Sequence, residues 1–197
     1  MVIASLSAYH YNFKNRIERQ FDEASQIFFS VNVGKVRLQG FDGQIGFKPN
    51  EIVSFYGSLS YSDSEIRSDF PNGVVGGVTQ FLPTKGKSLS EAAKWQGAAS
   101  VDVKPFENFS VGISGKFIGD RFTNLTNTEK FNGYALWDMY ARYKVEAFNA
   151  KDTYLQLNVK NLFDERYLGN IVTNITGTGQ GEPGYGRSVI ATLHVEF

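Results

Sequence analysis

The sequence predicts an all-β protein built from antiparallel transmembrane β-barrel strands, about eight of them in a meander. Three observations predict this fold class: a two-residue alternation of apolar and polar side chains, connections that are alternately short and long, and aromatic residues gathered near strand ends. Aromatic residues make up 15% of the chain and glycine occurs 20 times, which favours strands and turns. No stretch approaches the roughly 20 consecutive apolar residues of a membrane helix.

The first two predicted strands, near residues 3–13 and 28–47, alternate less regularly than the others. In the second of them, Gly34, Gly40 and Gly43 predict bulges or kinks. Six further strands alternate clearly, with an apolar set on one face and a polar set on the other. The six apolar sets begin at Val53, Trp95, Val111, Ala135, Leu155 and Val189.

The connections between these strands differ in length and composition. Residues 48–51, 104–108 and 148–152 are predicted to be tight turns. Residues 16–26, 67–90, 120–132 and 165–186 are predicted to be long, polar, glycine-rich loops. Short turns at one end and long loops at the other are typical of transmembrane barrels, with the turns periplasmic and the loops extracellular.

Alternation alone does not say which face meets water, because a soluble eight-stranded barrel has the same period. The aromatic positions favour the membrane, where amphipathic rings settle at both lipid–water interfaces. One group lies near the long-loop ends: Trp95, Tyr134, Trp137 and Phe163. The other lies near the short-turn ends: Phe106, Phe109, Tyr143, Phe148 and Phe197.

Composition argues against several classes of function. The formal net charge is zero with scattered basic residues, so nucleic acid is not an expected partner. The chain has no cysteine and only two histidines, His10 and His194, and neither lies in a catalytic motif. Gly73, Gly76 and Gly77 precede no helix and so predict no phosphate loop. We therefore expect no enzyme and no catalytic, cofactor-binding or metal-binding residues, and we interpret the Asp164–Glu165 pair as exposed strand-end charge.

A motif near the end of the chain carries a resemblance to a known family. Asn161, Leu162, Phe163 and Asp164 are followed by Tyr167, then by Pro183-Gly184 and Arg187, and the chain ends in Phe197. This order and spacing resembles the end of TonB-dependent outer-membrane receptors. Weaker similarities lie upstream, at Gly40-Phe41-Asp42 and Gly86-Lys87-Ser88-Leu89.

The resemblance implies a plugged barrel of about 22 strands that imports a scarce, bulky ligand, commonly a ferric siderophore. It implies that residues 1–197 are the C-terminal part of such a barrel, without the plug domain through which TonB acts. The first ten residues lack a signal-peptide pattern, so we expect a longer precursor with a signal peptide, destined for the Gram-negative outer membrane.

The resemblance also implies roles for individual residues. Asn161, Leu162, Phe163, Asp164, Tyr167 and Arg187 form the family's C-terminal motif, and Phe197 resembles the signal read by the barrel assembly machinery. Outer-membrane lipid is an expected partner. Ligand-binding residues are not identified, because polar loop positions are more often simply solvated than ligand contacts; the positions considered are Arg67, Asp69, Arg121, Lys130, Arg166 and Tyr185.

Three other functions remain open at this stage. The first is a self-contained eight-stranded outer-membrane barrel with a structural or adhesive role, its interior filled by side chains. The second is a soluble ligand-binding barrel, and the third is an outer-membrane hydrolase, which the small number of histidines disfavours.

Overall fold

A computed structural model describes residues 1–22, 25–145 and 153–196 of the chain. Within these residues there are fourteen β-strands, which confirms the all-β prediction. No helix among them is long and apolar enough to cross a membrane. In chain order the strands are β1 (Val2–Asp22), β2 (Ile27–Phe47), β3 (Val53–Ile66), β4 (Phe70–Val75), β5 (Val78–Leu82), β6 (Trp95–Phe106), β7 (Phe109–Ile118), β8 (Arg121–Phe122), β9 (Lys130–Phe131), β10 (Tyr134–Lys144), β11 (Tyr154–Lys160), β12 (Leu168–Val172), β13 (Gln180–Pro183) and β14 (Ser188–His194).

Eight of these strands form one antiparallel sheet in the order β1-β2-β3-β6-β7-β10-β11-β14. Each strand pairs with the next main strand along the chain, so the sheet is the predicted meander. The outer edges of β1 and β14 have no strand partner in the described part of the chain. The sheet is therefore open, and the predicted turn at residues 148–152 lies outside the described residues.

The pairing register places apolar side chains beside one another across the whole sheet. One row crosses all eight strands without a polar residue: Val2, Phe47, Phe55, Val101, Ile113, Met139, Val159 and Val189. Because strand side chains alternate between faces, a one-residue slip in any strand would replace its member of this row with a residue from the other face. The register therefore collects the predicted apolar sets on one face, called here the outer face.

The opposite face of the sheet is concave and mainly polar. Two grooves of about 510 and 520 Å³ open on it, and serine side chains contribute to the lining of both. Ser58, Ser60 and Gln96 line one groove, while Ser100 and Asp138 line the other. A polar concave face and an apolar outer face match the transmembrane arrangement and not the soluble barrel, whose inner face would be apolar.

The first hairpin differs from its prediction. We expected residues 16–26 to form a loop, but β1 continues to Asp22 and pairs with β2 as far as Ile27. A register shift between Phe13 and Ile17 lies opposite Gly34, whose φ of 80° is accessible mainly to glycine. The bulge predicted at Gly34 is therefore present.

Gly40 and Gly43 do not form the predicted bulges, because each pairs regularly with both neighbouring strands. At Gly40 the reason for glycine is close packing. An added Cβ would lie within 2.6 Å of the Tyr9 hydroxyl oxygen and would meet the backbone oxygen of Tyr61.

Each of the three remaining long loops contains a small hairpin that the sequence did not predict: β4–β5, β8–β9 and β12–β13. Val75 and Val78 flank a two-residue connection, Gly76-Gly77, in which both residues have positive φ. This geometry matches the twist of a hairpin and explains the paired glycines there.

The loops pack together in a hydrophobic core near the long-loop end of β2 and β3. Its buried members are Val31, Val33, Val36, Ile66, Phe70, Leu89 and Leu125. Val36 and Ile66 come from paired positions on β2 and β3, whereas Leu89 and Leu125 come from two different loops. Burial of apolar surface thus fastens the loops to the end of the sheet.

One aromatic prediction was wrong. Tyr134 was assigned to the interfacial group, but it is buried, and its ring centroid lies 4.5 Å from that of Tyr167. Tyr134 pairs with Ile118, which pairs with Gln96, so it belongs to the polar, concave side. The alternation of β10 already places Tyr134 on the opposite face of the strand from Trp137, which is exposed.

The division into two faces can be tested by placing one charge on each. Leu157 lies on the outer face of β11, and its neighbour Asn158 lies on the concave face. Leu157→Arg is expected to destabilise the protein folded in lipid vesicles by about 2–4 kcal/mol, while Asn158→Arg should destabilise it much less. Urea titration of both variants in vesicles measures this; a larger loss for Asn158→Arg would show that the faces are inverted.

Candidate functional site

The concave face carries a network of hydrogen bonds between side chains of neighbouring strands. The Ser60 hydroxyl donates to Asp42 at 2.5 Å, and the Tyr140 hydroxyl donates to Asp102 at 2.6 Å. Lys160 Nζ lies 2.8 Å from Asp138 Oδ2. These pairs hold charged and phenolic groups in fixed positions along the face, where a bound molecule or a packed domain would meet them.

A second part of the network lies on β10 and β11. Arg142 Nε donates to Gln156 Oε1 at 2.7 Å, and Gln156 Nε2 donates to Asn158 Oδ1 at 2.7 Å. The Arg142 guanidinium also lies 4.4 Å from the ring centroid of Tyr154. His194 of β14 stacks on the ring of Tyr154, with the two ring centroids 4.9 Å apart. His194 therefore lies on the concave side, as its alternation predicts.

The residues of the C-terminal motif meet at one corner, where β11 ends. Asn161 is buried and has a φ of 50°, a left-handed conformation that asparagine tolerates better than most residues. Its Oδ1 accepts from Glu165 N at 2.9 Å, while its Nδ2 donates to Glu165 O at 2.9 Å and to Tyr185 O at 3.1 Å. Its backbone N–H donates to Asp138. Asn161 therefore joins the turn, the next loop and the concave network.

Asp164 and Arg187 complete this corner. Asp164 also has a positive φ, of 56°, and its Oδ1 accepts from the backbone N–H of Arg187 at 2.8 Å. The Leu162 backbone N–H donates to Trp137 O at 2.6 Å, which ties the turn to β10. Phe163 is 68% exposed. Within the Asp164–Glu165 pair, the Asp164 carboxylate thus accepts a backbone hydrogen bond just before the start of β14.

Tyr167 connects the same corner to the loops. Its ring packs on Tyr134, as described above, and it also lies against Gly184. A Cβ at position 184 would meet ring atoms of Tyr167 at no more than 2.4 Å, so only glycine fits there without displacing the ring. This contact explains why Tyr167 and Gly184 both occur in the motif. Phe197, the remaining motif residue, lies outside the described residues.

The loop residues considered for ligand contact have different surroundings. Arg121 is buried, and its guanidinium donates to the carbonyl oxygens of Leu168 and Gly169 at 2.7 and 3.2 Å. It therefore joins two loops and is neither solvated nor available to a ligand. Lys130 pairs with Asp120 at 2.5 Å, while Tyr185 is 92% exposed.

The other three positions also have distinct environments. Arg67 pairs with Glu65 at 2.9 Å, and Asp69 accepts from the backbone N–H of Lys85 at 3.0 Å. Arg166 contributes to a groove between two loops, together with Lys130 and Pro183. The structure therefore does not bring the six positions together into one pocket.

Two asparagines that the sequence analysis missed organise the loop region. Asn124 is buried, and its Nδ2 donates to Thr128 at 2.9 Å and to Gly177 O at 3.2 Å. Asn127 exchanges two hydrogen bonds with the backbone of Ser88, at 2.7 and 3.0 Å. The run Asn124-Leu125-Thr126-Asn127-Thr128 could have indicated this role, because Asn and Thr side chains commonly bond to nearby backbone.

Further contacts join the last long loop to the first hairpin. Phe21 N donates to Thr173 O at 2.9 Å, and the Thr173 hydroxyl donates to Arg19 O at 3.4 Å. Gln20 lies between them and is only 1% exposed. Residues more than 150 positions apart in sequence are thus linked above the concave face.

Two loop carboxyls have shifted pKa values. Burial raises the pKa of Glu91, and nearby Glu18 adds to this, while a hydrogen bond from Thr173 and the charge of Arg121 lower it. At Asp120, the hydrogen bond from Lys130 and one from the Gly133 backbone lower the pKa. No group of three or more His, Cys, Asp or Glu side chains that could hold a metal occurs in the described ranges.

Removal of the Asn161 side chain is expected to destabilise the corner. Asn161→Ala removes three hydrogen bonds and places alanine at a positive φ, so we expect the free energy of unfolding to fall by about 2–4 kcal/mol. Asn161→Gly, which tolerates this φ, should lose about 1 kcal/mol less. Urea unfolding in detergent micelles measures both, with Asn158→Ala as the matched control; equal effects at positions 158 and 161 would contradict the structural role.

Glu91 should make the loop packing depend on pH. Its raised pKa means that the folded protein binds the proton more tightly than the unfolded chain. Its contribution to stability is therefore complete below the ordinary value of 4.5 and is lost as the pH rises through the raised pKa. When the urea concentration at the unfolding midpoint is plotted against pH, Glu91→Gln should flatten the plot between pH 4.5 and the raised pKa. Glu107→Gln, on an exposed turn, controls for the lost charge, and an unchanged profile in Glu91→Gln would contradict the assignment.

Comparison with known proteins finds a consistent set of relatives. The family model described as "TonB dependent receptor-like, beta-barrel" matches residues 2–162. The chain is 25% identical over 174 residues to the ferrichrome outer membrane transporter/phage receptor of Escherichia coli K12, covering 86% of this chain and 21% of the relative. It is 26% identical over 194 residues to the metal-pseudopaline receptor CntO of Pseudomonas aeruginosa, covering 98% and 25%.

Solved structures of similar fold come from the same kind of protein. The unliganded ferric citrate transporter FecA superimposes with a TM-score of 0.72 at 24% identity, over 95% of this chain and 28% of that one. The siderophore receptor PiuA of Acinetobacter baumannii gives 0.70 at 20% identity, over 96% and 26%. The chain thus spans about a quarter of the length of these relatives. With its open eight-stranded sheet, its two distinct faces and a family match across most of its length, the chain belongs to the TonB-dependent receptor β-barrel family.

Proposed function

We propose that this chain forms the C-terminal eight strands of the outer-membrane barrel of a TonB-dependent receptor. The receptor would import a scarce, bulky ligand of the ferric siderophore class. The observation that carries the proposal is the separation of the sheet into a continuous apolar outer face and a polar concave face. Such a sheet is suited to lipid on one side and to a wet lumen on the other.

The ligand class rests on the relatives and on the chemistry of the concave face. The relatives' names refer to ferrichrome, to metal-pseudopaline and to ferric citrate. In this chain, Lys116, Lys160 and Tyr185 contribute to one concave groove, in which Asp138 pairs with Lys160, so the lining keeps one excess positive charge. Cationic and phenolic side chains are suited to an anionic metal chelate or to the polar surface of a plug domain.

The remaining partners follow from the same proposal. TonB would act through a plug domain supplied outside these 197 residues. Phe197 would present a terminal aromatic to the barrel assembly machinery, and the outer face would contact outer-membrane lipid. The six motif residues Asn161, Leu162, Phe163, Asp164, Tyr167 and Arg187 would position the last strand for that assembly step. The role is transport and not catalysis.

A self-contained eight-stranded barrel is the second candidate, because eight strands are enough to close a small barrel. The lengths of the two edge strands disfavour it. β1 has 21 residues and β14 has 7, so most of β1 would stay unpaired if the two strands met. In lipid, each unsatisfied backbone group costs several kcal/mol.

Uptake assays separate the two candidates. Expressed with a signal peptide in cells without a matching receptor, the chain alone should not support growth on ferric siderophores, because its sheet is open. A chimaera in which this chain replaces the matched region of the ferric citrate transporter should restore TonB-dependent uptake. Gly76→Cys in both proteins, labelled on intact cells with an impermeant reagent, verifies that each has reached the surface.

Two outcomes would count against the proposal. TonB-dependent growth from the chain alone would show that the 197 residues are a complete importer. A chimaera that is labelled at the surface but transports none of a panel of ferric chelates would contradict the receptor role. A strain without TonB is the control in each arm.

A further inference from the structure

The chain contains two Asn-Gly pairs, Asn72-Gly73 and Asn132-Gly133, and the structure holds them differently. Glycine carries no side chain, so its backbone nitrogen reaches the side-chain carbonyl carbon of a preceding asparagine with little steric hindrance. That approach is the first step in the loss of the asparagine amide. In a folded protein, the step depends on how firmly the glycine nitrogen is held.

The first pair lies at an irregularity in the β4–β5 hairpin. The pairing of the two strands shifts register between Pro71 and Val74, so Asn72 and Gly73 lie within a β-bulge. Gly73 has a φ of 93°, and both residues of the pair are exposed. An added Cβ at Gly73 would meet no atom within 4 Å beyond its chain neighbours, so the space around this backbone is open. The Gly73 nitrogen can therefore approach the Asn72 side chain with little displacement of other groups.

The Gly133 nitrogen, in contrast, is held in place. Its N–H donates to Asp120 Oδ1 at 2.8 Å. Hydrogen bonds from Lys130 and from this backbone N–H lower the pKa of Asp120, so its carboxylate is ionised at neutral pH. A Cβ at position 133 would lie 2.5 Å from the Ile118 carbonyl oxygen, which shows that Gly133 packs directly against the end of β7. The negative charge opposes loss of the amide proton, and the packing opposes rotation toward Asn132.

The surroundings of Asn72 make a new charge there conspicuous. Residues 70–82, which form the hairpin, include no Asp, Glu, Lys or Arg. Val74, Val75, Val78 and Phe81 are each between 60% and 68% exposed. A carboxylate at position 72 would be the first charge in this exposed, apolar hairpin, and an isoaspartate there would also lengthen the backbone within the bulge.

We propose that Asn72 is a site of spontaneous deamidation and isomerisation, and that Asp120 protects Asn132 from the same reaction. The Gly73 backbone nitrogen loses its proton to solvent and forms a bond to Cγ of Asn72. The Cγ–Nδ2 bond then breaks, the departing nitrogen takes up a proton and leaves as ammonia, and a succinimide ring remains. Water adds to either ring carbonyl and opens the ring to aspartate or isoaspartate. This reactivity is a property of the hairpin and does not depend on the proposed transport role.

Mass spectrometry of the intact chain's peptides tests the proposal. The full chain, folded in dodecyl maltoside micelles, is incubated at mildly alkaline pH, which favours loss of the amide proton, and samples are digested at acidic pH. The peptide containing Asn72 should gain the mass difference between a hydroxyl and an amino group. Part of this product should accept a methyl group from isoaspartyl methyltransferase. The peptide containing Asn132 should stay unmodified in the same samples.

Incubation in concentrated urea is the control for folding, because both pairs should react there at similar rates. Asn72→Gln should abolish the modification, since glutamine would have to close a larger ring. Asp120→Ala should make Asn132 reactive without changing the rate at Asn72, and circular dichroism verifies that this variant is folded. Equal rates at the two sites in micelles, or no reaction at Asn72 in micelles, would overturn the proposal. A folded Asp120→Ala protein with unmodified Asn132 would overturn the protective role of Asp120.

Discussion

The pairing of backbone polar groups is the constraint on which the rest of this structure depends. In a hydrocarbon environment no water is available to N–H and C=O groups, so each strand must be hydrogen-bonded on both sides. The eight main strands satisfy this through one continuous antiparallel ladder, and only the outer edges of β1 and β14 do not. Under the proposed function, those two edges are where further barrel strands would pair.

Once the ladder is fixed, the two faces follow from it. A strand places alternate side chains on opposite sides, so the register that aligns Phe55 with Val101 also aligns Ser54 with Asp102. The apolar row across eight strands and the hydrogen bonds of Asp42, Asp102 and Asp138 are therefore two results of the same pairing. The bulge opposite Gly34 interrupts the alternation only above the apolar band, where the strands leave the expected membrane region.

The sequence predicted most of the sheet but little of the loops, and the reason is physical. Period-two alternation is a local signal, so six of the eight main strands could be located from their own residues. The end of β1 was missed because Arg19 interrupts the apolar alternation of Ile17 and Phe21. Arg121 was interpreted as a loop cation because its burial depends on Leu168 and Gly169, distant in sequence. The corner at Asn161 was located through the family motif, but its bonds to Glu165 and Tyr185 could not be derived from spacing.

The hydrophobic loop core also determines which side chains are exposed at the long-loop end of the sheet. Polar composition predicted solvated loops, yet Leu125, Asn124 and Thr123 are buried there, and Thr173 reaches back to Arg19 and Phe21. Loops that share a core cannot change conformation independently, because movement of one exposes apolar surface of another. Arg121 is buried within this packing, whereas Tyr185 is exposed. Glu91, a carboxyl beside this packing, is expected to couple it to pH, because desolvation and the charge of Glu18 raise the pKa of Glu91.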